Sequence, residues 1–311
     1  MTFLAPLLAG IGPAGTRIGR LLRAGVDVIG NDRFLVLPFV LLFLVKAGRA
    51  ALLLTLLYLG FVTRDWDTAF PLMLIALAYV PFEVLLQTFL QAALSKMTYD
   101  TLRKGRISLA ATGGALLRQV FTLFFIGLVS TLVRYVSDTK QNGFFGFLLA
   151  LLLFAVREVW DLISNFGIAV IMVERASLGT LVDRLKALRQ HVPETLVGVI
   201  GIDLAGSVVT SLFAGGVVLG LFGGGAAGYI FADQLPGSFL AKFDEVGVNT
   251  LPTLAILMIS FTLSALVQAA TICAKSVYFT LLYVMVVRPD ELPADRRAPL
   301  EGVVDGTPFP A

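Results

Sequence analysis

Eight charged side chains lie inside stretches that are otherwise apolar, and they are the residues with which this chain could do chemistry. Lys46 and Arg49 are three residues apart in one stretch, so both point from the same face of a helix. Burying an unpaired ion in hydrocarbon costs at least ~2.5–3.5 kcal/mol, so such groups should face neighbouring helices and pair with opposite charges. The four cations and four anions are Lys46, Arg49, Arg157, Lys275, Glu83, Glu158, Asp161 and Asp203.

This intramembrane charge network has two interpretations. In the first, it is a polar pathway or binding site for a charged substrate, an ion or a proton, as in a transporter or permease. In the second, it is a structural ion network that fixes the register of the helices. On either interpretation we expect Lys46 and Arg49 to contact carboxylates from other spans, and Glu83, Asp161 and Asp203 lie at suitable depths.

Small residues recur in the apolar stretch 196–232 and predict close packing of helices. Glycines every fourth residue form a stripe that lets a second helix approach closely in lipid. These helix-packing positions are Gly216, Gly220, Gly224 and Gly228. A second interpretation is that residues 223–225 interrupt the helix and leave a short half-helix before Asp233.

Enzymatic chemistry is not expected from this sequence. His191 is the single histidine, which excludes a bis-histidine haem pair and multi-histidine metal sites. Cys273 has no second cysteine with which to form a disulfide or hold a cluster. We therefore predict a non-enzymatic protein with no catalytic residue, no cofactor and no metal. Nucleic acid is not an expected partner, because the basic residues alternate with apolar stretches.

The charges are carried by stretches that are apolar enough to cross a bilayer. Of the 311 residues, 57% are hydrophobic and 14% are charged, and the mean hydropathy is +0.88. A helix that spans ~30 Å of hydrocarbon needs about 20 apolar residues, and six stretches meet this length. They cover residues 34–62, 69–94, 116–135, 144–173, 196–232 and 251–287. The sequence predicts an all-α, polytopic transmembrane bundle of six helices.

The basic residues between these stretches are distributed unevenly. If the six stretches all cross, fifteen Lys and Arg residues fall on one side. The opposite side carries only Arg64, Lys140 and Lys242. Cytoplasmic loops of membrane proteins are enriched in Lys and Arg, so both termini are predicted to be cytoplasmic. We expect a multi-pass protein of a prokaryotic inner membrane.

Three basic, amphipathic segments precede the odd-numbered spans and suggest an internal repeat. They cover residues 15–29, 98–116 and 177–191, and each is predicted to form an elbow helix that leads into a span. Such helices lie in the headgroup layer and favour anionic lipids at the cytoplasmic face. The chain would then hold three repeats of one elbow helix and two spans. Predicted boundaries are 1–33 for the N-terminal anchor and elbow helix, 34–287 for the six-span domain and 288–311 for a mobile cytoplasmic tail.

Three segments resemble a group of uncharacterised prokaryotic six-span integral membrane proteins, classed as domains of unknown function. The first is "RLLRAGVDVIGNDRFLVLPFVLL", an elbow helix followed by an acidic residue and an early proline. The second is "LRKGRISLAATGGALLRQV", before the third span. The third is "VWDLISNFGIAVIMVERASLGTLVDRLKALRQ", in which a span ends at a glutamate that leads into an elbow helix. The resemblance implies the six-span fold and no particular activity.

Two functions therefore remain open. The protein is a transporter or permease that uses the charge network, or it is a structural or assembly subunit of a larger membrane complex. The first function requires the charges to serve a ligand, whereas the second requires a membrane-protein partner.

Overall fold

The computed structural model describes residue 30 and residues 32–137, 143–176, 179–181, 184, 192–243 and 246–294. Over these residues the protein is an all-α, polytopic bundle. Helices dominate because lipid offers no hydrogen-bond partner, so a spanning segment must satisfy its backbone groups internally. The helices are α1 (Val36–Tyr58), α2 (Trp66–Lys104), α3 (Leu109–Arg118), α4 (Val120–Ser137), α5 (Gly143–Glu174), α6 (Val192–Leu219), α7 (Gly225–Ile230) and α8 (Leu251–Val287).

Five helical segments within the described residues are long and apolar enough to cross a membrane. They are Arg33–Thr63, Trp66–Lys104, Val120–Ser137, Ile202–Ile230 and Leu251–Val287. The chain is therefore a multi-pass integral membrane protein. The remaining predicted span, 144–173, coincides with the 32-residue helix α5. Its crossing of the membrane stays a prediction, as does the threefold repeat.

Several sequence predictions concern residues outside this description. They are the anchor and elbow helix within 1–29, most of the elbow segment 177–191 together with His191, and the tail from 295 to 311. Near the start of the described chain, the Asp32 carboxylate accepts a hydrogen bond from the Phe34 backbone N–H at 3.0 Å. It also accepts one from the Ile107 backbone N–H at 3.2 Å, which ties this segment to the loop after α2.

The region predicted as a second elbow helix, 98–116, is divided between two helices. Helix α2 continues to Lys104 and ends where Gly105 adopts a φ of 73°, a left-handed conformation that favours glycine after a helix. Helix α3 then begins after Ser108, whose hydroxyl accepts a hydrogen bond from the Ala111 backbone N–H at 3.3 Å. A short break at Gln119 separates α3 from α4. The basic residues of this region therefore lie around a turn and not along one helix.

Contacts divide the chain into two compact units. Unit 1 comprises Met1–Phe39, Val84–Asp203 and Thr271–Ala311, and unit 2 comprises Val40–Glu83 and Leu204–Ala270. Unit 2 also holds an antiparallel hairpin, β1 (Leu240–Phe243) and β2 (Val246–Asn249), in which Leu240 pairs with Asn249. The sequence analysis predicted no strand in this loop.

Within unit 2, the glycine stripe lies against the first half of α8. Gly216 faces Ser260, Gly220 faces Leu257, Gly224 faces Thr253 and Gly228 faces Asn249. A Cβ atom on Gly224 would lie 2.6 Å from the Thr253 Cα atom, so only glycine allows this approach. Close packing supplies the dispersion contacts that replace a hydrophobic driving force between helices in lipid.

The helix that carries the stripe is widened but not interrupted. A π-helical turn covers Gly220–Gly224 and joins α6 to α7 with helical backbone angles at both of its ends. The half-helix that the three consecutive glycines suggested is therefore α7, a continuation of the same helix through this turn. A π-helical turn holds one more residue than an α-helical turn, so it rotates the residues that follow it about the helix axis. Here the residue of the stripe that follows is Gly228, which faces α8.

Replacement of Gly224 should separate close packing from helix propensity. We expect Gly224→Ala to lower the melting temperature in detergent, because the added Cβ meets Thr253 backbone atoms that cannot rotate away. Gly223→Ala is the matched control, since its Cβ has nothing within 4 Å and alanine favours helix. Equal melting temperatures for the two variants, measured by differential scanning fluorimetry, would contradict this packing.

Candidate functional site

The structure brings three of the predicted charges together in unit 2, between α1 and α2. The Lys46 ammonium donates a hydrogen bond to Glu83 Oε1, and Arg49 Nη1 lies 3.2 Å from Glu83 Oε2. The Glu83 side chain is 1% exposed and that of Lys46 is 5% exposed, whereas that of Arg49 is 37% exposed. We call these three residues the Lys46 cluster. It is a buried ion pair with a second, partly exposed cation.

Neighbouring contacts hold α1 and α2 in the register that this pair requires. The Tyr79 hydroxyl donates a hydrogen bond to the Val45 carbonyl at 2.7 Å, one residue before Lys46. Gly48 leaves room for that ring, because a Cβ atom there would lie 2.9 Å from the Tyr79 hydroxyl oxygen. The Lys46 cluster is therefore part of a tightly packed helix pair.

A second group of predicted charges meets in unit 1, where Lys275 of α8 binds two carboxylates. Its ammonium lies 2.7 Å from Asp161 Oδ2 of α5 and 2.5 Å from Asp203 Oδ1 of α6. Glu158, one turn before Asp161, interacts electrostatically with both aspartates. We call Lys275, Asp161, Asp203 and Glu158 the Lys275 cluster. Arg157 lies at its edge, where its exposed side chain acts on Asp203 and Glu158.

The three helices contribute to the Lys275 cluster at different distances from their ends. Counting 1.5 Å per residue, Asp161 lies ~20 Å from the end of α5, Lys275 ~18 Å from the end of α8 and Asp203 ~17 Å from the start of α6. Measured from the start of its apolar stretch at residue 196, Asp203 is only ~10 Å from the end, so Asp161 and Lys275 lie deeper in their helices than Asp203 does.

The two clusters differ in charge balance and in exposure. In the Lys46 cluster a single carboxylate, that of Glu83, pairs with two cations and is almost fully buried. In the Lys275 cluster one buried ammonium has three carboxylates nearby, and the side chains of Asp161 and Asp203 are 36% and 33% exposed. Carboxylates in excess of the neighbouring cations favour the binding of a proton or a cation.

A third charge cluster joins the ends of α5 and α8 in unit 1, and the sequence analysis missed it. The Glu174 carboxylate accepts hydrogen bonds from Arg184 Nε at 2.9 Å and from Arg288 Nε at 3.3 Å. Arg288 also donates to Glu291 at 2.7 Å, and the Tyr99 hydroxyl of α2 donates to the same carboxylate. We call these five residues the Glu174 cluster. The sequence does contain a signal for this cluster: a glutamate directly follows an apolar stretch, and arginines occur in the two basic segments after it.

The hydrogen bond from Tyr99 and the neighbouring Arg288 guanidinium hold the pKa of Glu291 below its usual range. The pKa of Arg288 is raised by the carboxylates of Glu291 and Glu174, against the opposing effect of burial. These charge-assisted contacts attach the segment after α8 to the ends of α2 and α5.

The cysteine and the possible metal ligands are the other candidate groups in the described part of the chain. Cys273 is a buried free thiol in α8. Within the described residues, no three His, Cys, Asp or Glu side chains are grouped so as to hold a metal ion. No family model, curated protein or solved structure matches the chain. The resemblance to prokaryotic six-span proteins therefore stays a prediction.

Loss of the Lys46 ammonium should destabilise the protein. Lys46→Met leaves Glu83 with Arg49 alone, and we expect a loss near the lower end of the ~3–5 kcal/mol that breaking a buried ion pair costs. The double variant Lys46→Met, Glu83→Gln should recover most of this loss, because no buried charge is then left unpaired. Arg49→Met is the matched control and should cost less. Additive effects in the double variant, measured by thermal unfolding in detergent, would show that the two groups do not interact.

The Glu174 cluster should make stability depend on pH below about 4.5. Because the pKa of Glu291 is lowered in the folded protein, its contribution is present above the unfolded pKa and lost as pH falls through the folded pKa. Glu291→Gln should therefore melt below the wild type at pH 7, and the difference should shrink as the pH falls below about 4.5 towards pH 3. Asp233→Asn, at an exposed carboxylate in the loop after α7, is the control and should match the wild type at both pH values. A constant difference for Glu291→Gln across this range would contradict the assignment.

Proposed function

We propose that this integral membrane protein is a non-enzymatic transporter or permease, and that its Lys275 cluster binds the ion that is moved. The observation that carries this proposal is the excess of carboxylates around one buried ammonium. Lys275 and Arg157 supply two positive charges, whereas Asp161, Asp203 and Glu158 supply three negative charges. One proton or one monovalent cation would neutralise the group.

The physical basis of this assignment is the cost of net charge at depth. A charge within a membrane span is expensive, so residual charge in a buried group favours binding of an opposite charge. The Lys46 cluster does not favour a cation in this way, because its excess charge is positive: Lys46 and Arg49 share one carboxylate, Glu83. We assign it to the register of α1 and α2.

The proposed location is a prokaryotic inner membrane with both termini in the cytoplasm. The excess of Lys and Arg in the segments before α1, after α2, after α5 and after α8 supports this orientation. In this orientation the Glu174 cluster lies at the cytoplasmic surface, where anionic lipids would surround its exposed arginines.

A structural or assembly role in a larger membrane complex is the second candidate. The buried pair of Lys46 and Glu83 favours it, because a neutral buried pair specifies packing. This function requires a membrane-protein partner present in stoichiometric amount.

Ion flux into proteoliposomes should discriminate between the two functions. We expect purified protein to pass protons, Na⁺ or K⁺ faster than protein-free vesicles, as recorded with ion-sensitive dyes under an imposed gradient. Asp203→Asn should reduce this flux by about tenfold or more, the change that a barrier higher by ~1.4 kcal/mol produces. The double variant Lys46→Met, Glu83→Gln should keep the wild-type flux.

Absence of flux for all three cations, together with a stoichiometric protein partner after gentle purification, would replace the transport function with the assembly function. A flux that Asp203→Asn leaves unchanged would remove the Lys275 cluster as the binding site.

A further inference from the structure

The Lys46 cluster in unit 2 contains more positive charge than its carboxylate balances. Lys46 and Arg49 both form ion pairs with Glu83, so two cations share one anion and one positive charge is in excess. The segment that carries the two cations, Arg33–Thr63, is long and apolar enough to cross a membrane. Excess charge within such a segment is costly unless an opposite charge lies beside it.

Arg49 lies near the middle of this segment. Counting 1.5 Å per residue, it is ~24 Å from Arg33 and ~21 Å from Thr63 along the helix. A hydrocarbon layer is ~30 Å thick, so a segment that crosses it would place Arg49 about as far from either surface as the layer allows. Solvent at the two surfaces is therefore poorly placed to neutralise the excess charge.

The guanidinium of Arg49 also has unused hydrogen-bond donors. Lys46 donates to Glu83 Oε1, whereas Glu83 Oε2 receives no hydrogen bond, although Arg49 Nη1 lies 3.2 Å from it. None of the five N–H groups of Arg49 donates to a residue of the described chain. A guanidinium binds oxyanions through pairs of N–H donors, and this one makes only an electrostatic contact. Its capacity to bind an anion is therefore unused.

The packing around the cluster opens on the side where Arg49 lies. On α1, positions 46, 49 and 53 share one face, and the side chains along it change from the buried Lys46 to Leu53, which is 45% exposed. On α2, Val80 lies one turn before Glu83 and is 46% exposed. A short connection joins the end of α1 to the start of α2, so both exposed side chains lie on the same side of the buried pair. The guanidinium thus has an apolar rim and a free approach.

We propose that Arg49 binds a monovalent anion on this exposed side of the Lys46 cluster. One negative charge neutralises the cluster, and the buried pair of Lys46 and Glu83 keeps its role in the register of α1 and α2. The apolar rim cannot replace a tightly held hydration shell, so it favours a halide or a carboxylate over sulfate or phosphate. Such an anion comes either from solution or from the acidic group of an amphiphile. The proposal goes beyond cation transport and does not depend on it.

Binding of two labelled anions to the full-length protein tests the site. The protein is placed in phosphatidylcholine nanodiscs in sulfate buffer, and equilibrium binding of ³⁶Cl⁻ and of radiolabelled laurate is measured. We expect saturable binding of at least one probe, with one anion per chain. Arg49→Gln should weaken this binding by about tenfold or more, because it removes the charge and the paired donors.

Two control variants separate Arg49 from other sources of positive charge. Arg118→Gln removes an exposed arginine at the end of α3 and should bind the anion as the wild type does. The double variant Lys46→Met, Glu83→Gln removes the buried pair and leaves Arg49 as an unbalanced cation, so it should also retain binding. Thermal unfolding of every variant reports whether it is folded.

The outcomes identify the source of the anion or refute the site. Binding of ³⁶Cl⁻ that laurate does not displace assigns an inorganic anion from solution, and binding of laurate alone assigns an amphiphile. If neither probe binds, or if folded Arg49→Gln binds as tightly as the wild type, the proposal is refuted. Should Arg49→Gln not fold, anomalous scattering from bromide or bromolaurate in wild-type crystals decides, because the proposal requires the anion within hydrogen-bond distance of the Arg49 guanidinium. None of these outcomes depends on cation flux through the Lys275 cluster.

Discussion

The absence of water in the bilayer interior is the constraint on which the rest of this structure depends. A carboxylate or ammonium there must find an opposite charge within the fold, and each of the two deep clusters meets this need across helices. Glu83 of α2 selects the face of α1 that carries Lys46, and Lys275 of α8 selects the faces of α5 and α6 that carry Asp161 and Asp203. The ion pairs therefore determine which faces of the helices meet.

Small residues make these polar contacts possible by allowing backbones to approach. Gly48 admits the Tyr79 ring, and the resulting hydrogen bond to the Val45 carbonyl fixes α1 beside the buried Lys46. The same principle acts without charge between the glycine stripe and α8, where Gly224 lies against the backbone of Thr253. In lipid, the hydrophobic effect does not favour a neighbouring helix over an acyl chain. Close packing and interhelical hydrogen bonds therefore hold these helices together.

The sequence was sufficient to predict the class of fold, because that class depends on local composition; the depth of the charges in the membrane stays a prediction. The sequence was not sufficient to choose the partner of Lys46, since helical periodicity gives the face of a residue and not the neighbouring helix. Asp161 and Asp203 were equally suitable candidates by depth, and only the tertiary packing separates Glu83 from them. The turn at Gly105 and the hairpin before α8 were missed for another reason, because a hydropathy pattern carries little information about loops.

The contrast between the two deep clusters bears on function more than either cluster alone. Both consist of lysine, arginine and carboxylate side chains, and both join helices that must pack in a dry environment. A purely structural role is fulfilled by a neutral, sealed pair, as Lys46 and Glu83 form. The Lys275 cluster departs from this solution by an extra carboxylate and by the partial exposure of Asp161 and Asp203. Under the proposed function, a positive charge bound from outside the chain neutralises the described side chains of that cluster, and this would connect its geometry to ion binding.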